Sequence, residues 1–120
     1  MKSVTGKYCI IANKSYGLYC GVVTNVTPSA VDETMTVEIA GCRHIAKWYG
    51  REGGITSLAR YGICGDSASE SRIGAAVDAV CGGVVNLFVC HASAVESLEA
   101  YGCRKKWRDH HRQPSAGNRR

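Results

Sequence analysis

The chain has no apolar run approaching the ~18 residues a membrane span needs, no CxxC pair, no Walker loop and no GxGxxG. The first two absences exclude a spanning helix and the usual zinc-finger or ribbon spacing. The last two remove the common phosphate-cradling loops. Met1-Lys2-Ser3-Val4-Thr5-Gly6 lacks the apolar core of a secretory signal, so an intracellular protein is expected. Paired carboxylates are scarce. Asp32-Glu33 and Glu70 fall in loop sequence, Glu96 suits a helix cap and Glu99 a solvent face. No period of 20 to 50 residues recurs, which argues against a solenoid.

Seven cysteines are present, at positions 9, 20, 42, 64, 81, 90 and 103. Most sit among Val, Ile, Tyr and Gly, where Cys acts as a small hydrophobe. Buried free thiols are therefore expected, ahead of disulfides or a metal site. With 120 residues and 45% apolar content, one domain with one core is predicted, and self-association is a common remedy for so small an interior.

The net charge of +5 is unevenly placed. Residues 104–120 hold seven basic side chains against Asp109 alone, whereas residues 1–103 hold eight basic against nine acidic ones. The body (1–103) is thus near neutral, and 104–120 reads as a basic C-terminal tail.

Along the chain, Lys7–Ala12 is β-branched and aromatic, Asn13–Gly17 carries turn chemistry, and Leu18–Thr27 predicts the second strand of a hairpin. Met35–Ile39 alternates apolar and polar residues; Arg43–Trp48 reads as its partner across a turn at Gly41. A short helix is expected from Thr56 or Ser57 to Tyr61, stopped by Gly62. Gly82-Gly83 divides the stretch from Ile73 to Cys90 into two strands, with a helix over Gly74–Cys81 as the competitor. Ser93-Ala94-Val95-Glu96 fits a capping box, and Gly102 is a suitable stop, which predicts a helix over 93–101 with Val95, Leu98 and Tyr101 inward. The fold class is α+β, mainly β: a small antiparallel sheet or partly closed barrel, one short helix and one capped C-terminal helix.

Arg43-His44-Ile45-Ala46-Lys47-Trp48, a glycine-dense loop, and Ile55-Thr56-Ser57-Leu58-Ala59-Arg60-Tyr61-Gly62 together resemble part of an uncharacterised family of small tailed-phage proteins. Val77-Asp78, the aliphatic run Val84–Val89 and the segment Ser93–Ala100 follow in the same order. The resemblance covers roughly residues 7–101. It implies phage or prophage origin, a compact β-rich domain and an accessory role in the host cytoplasm. Where family members carry a second arginine and a second aromatic, this chain has His44, Ala46 and Lys47, which weakens an arginine–aromatic stack.

Candidate chemistry is sparse. Cys90 and His91 are strand neighbours pointing to opposite faces, and Cys42 and His44 share a face but lie too far apart for direct contact, so thiol catalysis is not expected. Arg43, Lys47, Tyr49 and Arg51 mix cations with an aromatic, a combination that contacts phosphate and stacks on bases. Trp48 is assigned to the core. Arg104, Lys105, Lys106, Trp107, Arg108 and Arg112 form the strongest charged motif, suited to neutralising phosphates. The expectation is a non-enzymatic, self-associating accessory protein without cofactor or metal. Its partner would be a nucleic acid, a nucleotide signal or a host defence protein, with no membrane. The alternative is a virion cement protein whose tail docks on a neighbouring subunit.

Overall fold

A computed structural model of the chain describes residues 3–15, 17–50, 54–64 and 68–111, with 102–111 described as backbone. Strands β1 (Tyr8–Asn13) and β2 (Leu18–Pro28) form the predicted N-terminal hairpin. Its turn is held by the Asn13 side chain, whose Oδ1 accepts from the Ser15 and Gly17 amides at 3.1 and 2.8 Å. Strand β3 (Met35–Lys47), helix α1 (Ile55–Tyr61), a 3-10 turn (Ala68–Glu70), the short β4 (Arg72–Ile73), β5 (Val77–Val89) and helix α2 (Ala92–His111) complete the order. The molecule is mainly β, as expected from the alternating runs.

Two expected chain reversals are absent. The hairpin placed at Gly41 is a single 13-residue strand, and so is the pair of strands placed on either side of Gly82-Gly83. The helix weighed over Gly74–Cys81 does not form, because β5 occupies most of that segment. Both glycines misread as turns, Gly41 and Gly83, adopt φ of 63°. They lie where the strand register shifts, so each marks a β-bulge rather than a reversal. Each bulge glycine has one backbone group with a partner. The Gly41 amide donates to Asp78 Oδ1 at 3.1 Å, and the Lys14 amide donates to the Gly83 carbonyl at 2.8 Å.

The bulge at Gly41 decides what β3 buries. Val37 and Ile39 point inward with alternate residues outward; one extra residue at 41 returns Cys42 to the inside and sends Arg43 and Ile45 to the opposite face. All pairings are antiparallel, and they form a ring: β1 with β2, β2 with β3, β3 with β5, and β5 with β1. β4 adds to the end of β3. Inside the ring lies one apolar cluster, which includes Cys9, Ile11, Val23, Val37, Ile39 and Val84. A second cluster lies outside it, where Ile10, Cys20 and Ile45 meet Leu58 of α1 and Leu98 of α2. β1 therefore feeds both clusters from successive residues.

Helix α1 ends as the sequence predicts, with the Gly62 amide donating to the Leu58 carbonyl at 2.8 Å. Its start differs. Gly54 is the cap, and neither Thr56 nor Ser57 caps the helix. A Cβ at Gly62 would lie 2.6 Å from the Ser97 side chain, so this glycine is what allows the two helices to pack closely. α2 begins before Ser93, so the capping box does not form. Instead Ser93 Oγ donates to the Arg60 carbonyl at 2.8 Å and Ser97 Oγ to the Ile63 carbonyl at 2.8 Å, tying α2 to α1 and to the segment that follows it. The buried face of α2 runs through Ala94 and Leu98, with Tyr101 packed beside them; this is the i, i+4, i+7 spacing of a helix lying on a surface. Gly102 does not stop α2, which continues to His111.

Candidate functional site

Of the residues assigned to phosphate contact, Arg43, Lys47 and Tyr49 have described side chains, and Arg43 does not join the other two. Arg43 is only 8% exposed. Its Nε donates to the Gly74 carbonyl at 2.8 Å and its Nη1 to the Leu98 carbonyl at 2.6 Å. The guanidinium thus ties β3 to the β4–β5 connection and to α2, and it is not presented to solvent. Lys47 is exposed, with its Nζ 5.3 Å from the centre of the Tyr49 ring, a cation–π distance. The Tyr49 backbone is fixed on both sides: its amide donates to Ser71 Oγ at 3.1 Å, and its carbonyl accepts from Cys64 at 3.2 Å. Trp48 packs against the outer cluster, as assigned. Arg51 and Arg112 lie outside the described residues. Arg104, Lys105, Lys106, Trp107 and Arg108 fall within the helical backbone of α2, so this basic run is part of a helix that begins on the body.

The buried thiols are poorly suited to nucleophilic work. All six in the described side chains are free, and Cys9, Cys20 and Cys42 are buried. Burial, together with the neighbouring Cys81 thiol, pushes the Cys42 thiol up to about 12. Burial likewise pushes Cys90 up to about 12, helped by Cys20 and Cys9. A thiol so far above neutrality carries almost no thiolate, the reactive form. His44 is exposed and leans against the Tyr19 ring at 5.2 Å between centroids. Cys20 accepts a hydrogen bond from the Tyr8 hydroxyl at 3.3 Å, and burial raises both groups. Among the described residues, no group of three His, Cys, Asp or Glu side chains could hold a metal ion. No described helix is long and apolar enough to cross a membrane.

One feature escaped the sequence reading. A groove of about 610 Å³ opens between α1 and the end of β5, lined by Thr56, Ser57, Arg60, Phe88, Val89 and His91 among others. Its cationic side chain, Arg60, and its imidazole, His91, are not linked by the sequence, because they are about thirty residues apart in the chain. The Arg60 guanidinium sits 5.6 Å from the centre of the Tyr61 ring. The His91 amide donates to the Ala59 carbonyl at 2.9 Å, which pins the end of β5 to α1. Among the described residues, no carboxylate lines the groove. Such an arrangement can bind and orient an anionic group; it contains no activated nucleophile.

No curated protein and no solved structure matches the chain. A family model does match: residues 6–98 fit DUF6948, a domain of unknown function. The matched span takes in the strand ring, α1 and the first turns of α2, and it ends before the basic run. Because it covers most of the chain, the protein belongs to the DUF6948 family.

Proposed function

We propose that this is a non-enzymatic accessory protein that self-associates and engages a phosphate-bearing partner, a nucleic acid or nucleotide, through the basic run on α2. The observation that carries the reading is the continuation of α2 through Gly102 to His111. It places Arg104, Lys105, Lys106 and Arg108 on a helix continuous with the body, next to a domain of near-zero charge. A cationic helix tracks a phosphate backbone without base-specific contacts. The Cys42 and Cys90 thiols, both pushed up to about 12 by burial, support a binding role over catalysis. The sequence resemblance to tailed-phage proteins supports an accessory role in a phage or prophage, including interference with host defence.

The test is deletion of 104–120, followed by binding to labelled single-stranded oligonucleotides and cyclic nucleotides across a salt series. The full chain should show log K falling against log salt with a slope of about −3, given the four cations of the run each neutralising one phosphate of a single strand. The truncated chain should lose that binding. Salt-insensitive binding, or binding that survives truncation, rejects the tail as the contact.

A second reading, a virion cement protein, is favoured by Val77 and Val80, which are 60% and 68% exposed on β5. Exposed apolar side chains on one strand suit burial against another subunit. Light scattering together with a search of purified virions separates the two, since a protein absent from virions is not a cement.

A further inference from the structure

The groove between α1 and β5 is bounded by a strand edge with open hydrogen-bonding groups. β5 pairs with β3 only from Val77 to Val84, and with β1 from Val84 to Val89. On the β1 side the Cys90 amide donates to the Tyr8 carbonyl at 2.9 Å. In an antiparallel ladder, bonded pairs alternate with non-bonded ones. The bonded pairs are therefore Tyr8 with Cys90 and Ile10 with Phe88, whereas Leu87 and Val89 turn their amides and carbonyls away from β1. Among the described residues no strand pairs with that outward edge.

The groove lies against this edge. Leu87, Phe88 and Val89 form one wall, and Thr56, Ser57 and Arg60 of α1 form the other, with His91 at the end. Asn86–Val89 carries no charge and no proline, the features by which proteins usually protect an exposed edge. The opposite wall is cationic at Arg60 and, among the described residues, has no acid. It also holds Ser57, whose Oγ is buried without a hydrogen-bond partner among the described residues.

We propose that this groove is a strand-addition site, in which an extended acidic peptide pairs with the free β5 edge at Leu87 and Val89 while its carboxylates face Arg60 and His91. Main-chain hydrogen bonds supply affinity in this mode, and side-chain pockets at alternate positions supply selectivity. The strand direction dictates a period of two, so acidic residues at every second position face the cationic wall together. The site is separate from the basic run. Arg104 lies thirteen residues beyond His91, roughly 20 Å along the axis of α2. The protein would then hold a peptide at one end of α2 and a phosphate-bearing partner at the other.

The test uses the full chain, isotopically labelled, and a pool of hexapeptides with Asp or Glu alternating with Val, Ile, Thr or Tyr. Amide exchange at Leu87 and Val89 should slow at least tenfold on binding, with shifts centred on the groove. N-methylation of alternate peptide-backbone nitrogens should abolish binding in one of its two registers, with no change to the protein. Arg60→Glu, at an exposed side chain, should weaken binding at least tenfold while the thermal midpoint is retained. The proposal is overturned if no peptide in the pool binds, if both N-methylated registers bind as well as the parent, or if the Leu87 and Val89 amides exchange unchanged in the complex. Binding of inorganic phosphate in place of every peptide also overturns it, and would make the groove a small-anion site.

Discussion

At the scale of single residues, Arg43 shows how a cation chosen for binding becomes a structural tie. Two charge-assisted hydrogen bonds to the Gly74 and Leu98 carbonyls hold it, and bonds of this kind contribute about 1.5–3 kcal/mol each. Arg43→Met should lower stability by about 2–4 kcal/mol in urea unfolding. Oligonucleotide affinity, measured below the unfolding transition, should not change. A loss of affinity at unchanged stability would return Arg43 to the binding surface. Cys42 gives a pH prediction. Its folded-state thiol titrates at about 12, above the ordinary value of 9.0. The folded state therefore holds a proton that the unfolded chain releases first. The Cys42 contribution to stability should be flat below pH 9 and be lost as pH rises from about 9 towards 12, and Cys42→Ala should flatten part of that alkaline limb. A limb of equal steepness in the variant would assign it to other groups.

At the scale of elements, α2 departs furthest from its sequence signature. Ser93 and Glu96 have capping-box spacing, yet Ser93 lies inside the helix and bonds to the Arg60 carbonyl across the helix pair. Ser93→Ala should cost about 1 kcal/mol through that lost contact, and Glu96→Ala should be near neutral, within about 0.5 kcal/mol. Equal losses in denaturant melts would indicate a reciprocal cap instead. Tyr101 provides a further anchor. Its hydroxyl donates to the carbonyl of Ser71, a fully buried residue at the end of a segment whose composition looked like open loop. Composition could not show this, because the burial of Ser71 depends on α2 lying across it.

At the scale of the whole molecule, the ring of strands and the helix pair outside it enclose two apolar clusters. The innermost groups come from residues 9–98, almost the span of the family match. Deleting 104–120 should therefore leave the thermal midpoint of the body within about 0.5 kcal/mol equivalent of the parent, read by calorimetry. A large drop would make the basic run part of the folded core. Much of this plan was legible in advance. The N-terminal hairpin, the alternating run from Met35, α1 with its Gly62 stop and the inward face at Leu98 all follow from local patterns. The groove was not legible, since Arg60 and His91 meet only because the end of β5 is pinned to α1.

The sequence by itself determined the β-rich class, most of the apolar positions and the separation of a neutral body from a basic C-terminal run. These follow from periodicity and composition, which act over a few residues. Only the tertiary structure decided whether a glycine was a turn or a bulge, because a left-handed residue suits both and the choice depends on which strands lie alongside. That choice sent Arg43 to the helix-covered face and made β3 and β5 long enough to close the ring. The same closure left the far edge of β5 open beside α1, with Leu87 and Val89 facing a cationic wall.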